Sequence, residues 1–71
     1  MFVEVTSIER DIHGEVEVPV LINIDNIQYI VKCEEEGCED QCMIQFAGGF
    51  PIFVRGTLID LQMRFDLLRR S

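Results

Sequence analysis

The residue types best suited to bond chemistry in this 71-residue chain are its three cysteines, at positions 33, 38 and 42. They form the pattern C-x4-C-x3-C among five acids, Glu34, Glu35, Glu36, Glu39 and Asp40. A thiolate is a nucleophile and a soft metal ligand. A structural zinc site takes four ligands, commonly as closely spaced pairs. Cys33, Cys38 and Cys42 offer three ligands for zinc, and His13, Asp40 or a second subunit would have to supply the fourth. Packing is the simpler account of two of them. Cys33 and Cys42 fall on consecutive strand-like runs and face each other in the simplest hairpin register, and buried cysteine behaves as a small hydrophobe. A labile disulfide through Cys38 is a third reading.

The acids invite a hard cation, but their order differs from an EF-hand loop, whose ligands alternate around a central glycine and end in Glu. A solvated hairpin tip explains them without a ligand. The sharper alternative makes Glu34, Glu35, Glu36, Glu39 and Asp40 a recognition surface for a basic protein, because rim charge steers association. Nothing else assembles into a catalytic set. His13 is the single histidine and stands in a polar, turn-like stretch, so no nucleophile has a base nearby in sequence. Gly48-Gly49 leads into a strand rather than a helix, which is the wrong context for a phosphate loop. These residues predict a protein that is not an enzyme and needs no cofactor unless the cysteines take zinc.

Composition bounds the partners. The net charge is -7, from thirteen acids and six bases. Residues 1–54 hold eleven acids and two bases, and residues 55–71 hold two acids and four bases. Phosphate backbones are held by clustered Lys and Arg, and only Arg64, Arg69 and Arg70 offer that, so direct nucleic-acid binding is not expected. No apolar run approaches the roughly 18 residues of a membrane helix. Met1-Phe2-Val3-Glu4 runs into charge rather than an apolar leader core. A reducing, cytoplasmic setting with free or metal-bound cysteines is therefore expected. The hydrophobic fraction is 48%. That excludes a disordered chain and exceeds what one small core hides, which favours a homo-oligomer.

The elements follow from periodicity. Residues 2–8 alternate, with Phe2, Glu4, Thr6 and Ile8 opposite Val3, Val5 and Ser7. Glu9 to Gly14 reads as a polar loop. Residues 15–24 alternate most clearly, with Val16, Val18, Val20, Ile22 and Ile24 on one face. Pro19 lacks a backbone donor and marks that strand as an edge or a bulge. Asn23 to Asn26 favours a turn. Residues 27–33 and 42–47 are a third and a fourth strand around the break at 34–41. Gly48-Gly49 turns into a fifth, residues 50–55.

Thr57 is a good N-cap for a helix over about 57–69, with Asp60 three residues on. Asp60 suits the helix start, and Arg69 and Arg70 suit its end. This helix carries two apolar stripes. Leu58, Leu61, Phe65 and Leu68 form one; Ile59, Met63 and Leu67 form the other, well over 100° around the axis. One stripe covers the sheet. The second is either sunk in a groove of the same sheet or is a seam for a second subunit.

The segment Val20-Leu21-Ile22-Asn23-Ile24-Asp25-Asn26-Ile27, followed later by Ile52-Phe53-Val54-Arg55-Gly56-Thr57-Leu58, resembles short FlbD-like proteins associated with flagellar operons. It is also similar to the core of LytTR-type DNA-binding domains, where a hairpin leads into a V-R-x-[ST]-L helix start. The cysteine hairpin belongs to neither pattern, and the acidic balance differs from that of a DNA-reading domain. The resemblance implies a small antiparallel sheet with a C-terminal helix, of bacterial or phage origin, and carries over no catalytic residue.

The expected fold is thus a single α+β domain over residues 1–71, a small antiparallel sheet of about five strands with one C-terminal helix. The expected function is a small acidic, non-enzymatic regulatory or interaction module that self-associates through its helix, at Ile59, Met63 and Leu67, or through its sheet edge. The alternatives are a metal- or redox-responsive protein using Cys33, Cys38 and Cys42, and an acidic decoy for a nucleic-acid-binding protein.

Overall fold

A computed structural model of the chain describes residues 1–70. Five strands run in sequence, β1 (Phe2–Asp11), β2 (Gly14–Asn23), β3 (Ile27–Lys32), β4 (Gln41–Phe46) and β5 (Ile52–Arg55), and a single helix α1 (Leu58–Arg70) follows. The spatial order is β2-β1-β5-β4-β3, antiparallel throughout. The predicted α+β architecture is therefore the one observed. Its least local feature is that the last strand is the middle one: β5 joins two hairpins that never pair directly.

β1 and β2 pair without a break from Phe2↔Asn23 to Asp11↔Gly14. The polar stretch at 9–14 is accordingly not a loop but the end of this hairpin. Arg10 reaches Glu15 across the paired strands, Nε to Oε1 at 2.9 Å. Only Ile12 and His13 turn. The His13 amide donates to Asp11 Oδ1 at 2.7 Å, and Gly14 takes a positive φ of 117°. Pro19 sits on an edge strand, as its missing donor requires, and the register runs through it to Thr6 with no bulge. Ile24, expected at the strand's end, opens a short 3-10 turn (Ile24–Asn26) and is fully buried there.

Strand alternation sends Val3 and Val5 of β1, Ile22 of β2, Cys42 and Ile44 of β4 and Val54 of β5 to one face, where Leu61 and Phe65 of α1 close the core. Each such side chain contributes about 1.5–3 kcal/mol on full burial. The turn from β5 into α1 is made at Gly56, whose φ of 132° suits glycine. Thr57 Oγ1 then accepts from the Asp60 amide at 3.2 Å, the cap anticipated from the sequence.

Candidate functional site

The segment between β3 and β4 is not a free tip. Its backbone closes on itself: the Cys33 amide donates to the Gln41 carbonyl, the Cys38 amide to Glu35 and the Gln41 amide to Cys38, each at 3.1 Å. Two arginines from the sheet then tie it down. Arg10 of β1 donates from Nη2 to Cys38 Sγ at 2.9 Å and places Nη1 3.7 Å from Glu35 Oε2. Arg55 of β5 pairs with Asp40 and, at 2.6 Å, with Glu17 of β2. Glu34, Glu35, Glu36, Glu39 and Asp40 remain exposed, as expected of a charged surface, but Cys38 is buried.

The three cysteines do not act as one group. Cys33, Glu35 and Cys38 bring their donor atoms within 4.8 Å of one another. Cys42 lies apart from this set, fully buried in the core with its Sγ donating to the Gly56 carbonyl at 3.3 Å. The sequence expectation that Cys33 faces Cys42 fails by one residue. The partner of Cys42 is Lys32, and Cys33 bonds to Gln41. A one-residue offset sends a side chain to the other face of a sheet. Cys33 consequently shares the helix-free face with Ile8, Arg10, Gln41 and Phe53, which with Glu35 line a cavity of about 370 Å³.

Burial pushes the Cys38 thiol above its ordinary range, and neighbouring Cys33 pushes it the same way, while the Arg10 guanidinium draws it back. The hydrogen bond to Cys38 in turn holds Arg10 more firmly protonated. Burial also raises the Cys42 thiol. Arg10 and Glu35 are the members of this cluster that the cysteine pattern did not single out. Glu35 was visible among the acids, but Arg10 comes from a strand 28 residues before Cys38, and no local spacing announces it.

A second surface is apolar. Leu61 and Phe65 are buried, whereas Ile59, Met63 and Leu67 are 68%, 60% and 65% exposed. The sheet groove does not take up the outer stripe. Met63 and Leu67 instead line an open groove of about 540 Å³ with Phe2, Val3, Asp60, Arg64 and Leu68. The helix-free sheet face carries a weaker row, Val31, Met43 and Phe53, aligned across three strands and partly covered.

No family model, curated protein or solved structure matches this chain. The functional reading rests on these two surfaces. Among the described residues, no helix is long and apolar enough to cross a membrane.

Proposed function

We propose that this chain is a small non-enzymatic interaction module that self-associates through the outer face of α1. The observation that carries the reading is the exposure of Ile59, Met63 and Leu67, three large apolar side chains in a row on a regular helix with Phe2 beside them. Contiguous apolar surface of this kind marks a site for another protein.

A second copy can cover it in an antiparallel register. Asp60 and Arg64 flank the stripe on one side, and Gln62 and Asp66 flank it on the other. In an antiparallel, two-fold pair centred on Met63, Ile59 meets Leu67 of the partner subunit. The 60/64 flank then meets its own copy in reverse order, with Asp60 and Arg64 each offset about 3 Å along the axis from Arg64 of the partner subunit, and Arg64 already donates to the Glu4 carbonyl of its own chain. The apolar stripe thus meets itself, as a two-fold interface requires.

Sedimentation of the wild-type chain over a dilution series, at low and high salt, tests the reading. An apolar seam gives a dimer that dissociates on dilution and survives high salt. A monomer at every concentration overturns it.

A further inference from the structure

Independently of self-association, we propose that Cys33, Glu35 and Cys38 form a binding site for a thiophilic divalent cation of the zinc class. Two thiolates and a carboxylate are a donor set zinc takes, and the four-residue gap between Cys33 and Cys38 lies within the range of zinc-binding cysteine pairs. The donor atoms already lie within 4.8 Å of one another. Tetrahedral zinc with Zn–S bonds near 2.3 Å sets its sulfurs about 3.8 Å apart. The site therefore has to contract by about 1 Å at most, and the turn at Gly37 is exposed, with open space where a Cβ would stand.

Three features make this more than a chance cluster of exposed acids. The loop backbone is held by its own hydrogen bonds on both sides of the donors, so little order has to be created on binding. Cys38 is buried, and a charge is attracted more strongly where water is excluded. Finally, two thiolates, one carboxylate and a divalent ion leave a net charge of about −1, and Arg10 stands against Cys38 Sγ and near Glu35 to neutralise it. An N–H donated to a metal-bound sulfur is a normal outer contact. The cavity lined by Cys33, Glu35 and Gln41 leaves room for a fourth ligand, a water or an exogenous group.

Titration of the fully reduced protein with cobalt(II), followed by zinc, tests the site. The expected result is one cobalt per chain, a sulfur-to-cobalt charge-transfer absorption, and its loss on adding zinc. Cys33→Ser and Cys38→Ser abolish the absorption. Glu35→Gln weakens binding about tenfold or more, taking as a lower bound the effect of losing an outer contact, while Glu36→Gln and Cys42→Ser bind as wild type. The exposed Glu35 and Glu36 provide the decisive pair, because neither supports the core. Absence of the charge-transfer absorption in the reduced wild type overturns the proposal. So does equal affinity of the Glu35→Gln and Glu36→Gln variants, or loss of the absorption in a folded Cys42→Ser variant.

Discussion

Replacing Met63 and Leu67 by lysine should abolish self-association without unfolding the chain. Full burial of a side chain of this size is worth about 1.5–3 kcal/mol. Both are about two-thirds exposed, so a seam can still gain about 1–2 kcal/mol from each. Four such side chains leave a two-fold interface in the double variant, a loss of about 4–8 kcal/mol. That weakens a dimer about a thousandfold or more, before counting repulsion between the new charges. The intact seam, with Ile59 and Phe2, gathers about twice that gain, against an association cost of about 4–15 kcal/mol. The wild-type dimer should therefore be modest, and the assay is sedimentation equilibrium up to several hundred micromolar. Circular dichroism checks that the fold is kept, because neither side chain belongs to the core cluster. Val31→Lys, on the helix-free face of the sheet, should dimerise like wild type. The reasoning is refuted if the double variant keeps the wild-type mass, and the face is wrongly assigned if Val31→Lys alone becomes monomeric.

Phe65→Ala should cost about 3–5 kcal/mol. Against the total of about 4–10 kcal/mol typical for this length, a urea midpoint close to that of wild type would show that α1 does not close the core. Thr57→Ala should lose about 1 kcal/mol of stability with the cap, and an unchanged thermal midpoint would contradict the Thr57–Asp60 bond. Burial raises Cys42 above the ordinary thiol value of 9.0, so its share of stability is complete below that pH and is lost as pH rises through the folded value. Urea unfolding from pH 8 upward should show this decline, flatter in Cys42→Ser; an equal slope in both would assign the alkaline loss to other groups.

Local pattern made much of this molecule readable in advance. Alternation located all five strands, Thr57 located the start of α1, and the outer helical stripe is exposed as drawn, whereas the inner stripe is buried only at Leu61 and Phe65, with Leu68 half-buried and Leu58 exposed at the helix start. These features depend on neighbours a few residues apart. What failed depends on distant partners or on register. Residues 9–11 read as polar loop because their strand character comes from pairing with Glu15, Val16 and Gly14. The central place of β5 follows from two separate pairings, to β1 and to β4, that no local spacing encodes. Cys33 and Cys42 were set face to face by the simplest hairpin, and one residue of offset parted them. The meeting of Arg10 with Cys38 is a consequence of that fold, since a loop from one edge strand reaches a strand beyond the sheet's centre.

The two surfaces have a common physical origin. A sheet has two faces, and the described residues form one α-helix to cover them. α1 takes the face bearing Val54 and Ile44 and spends only half of its apolar circumference there, so the other half stays in water. The opposite face is covered at one end by the acidic loop, which is held by its own backbone hydrogen bonds, by the Gly56 amide on the Asp40 carbonyl, and by Arg10 and Arg55. Cover of that kind is polar and local, and stability is lowest where few apolar contacts are buried. The helix face is therefore suited to a rigid apolar contact with a second copy. The loop is suited to a ligand that tightens it, because its donors are already gathered within 4.8 Å of one another.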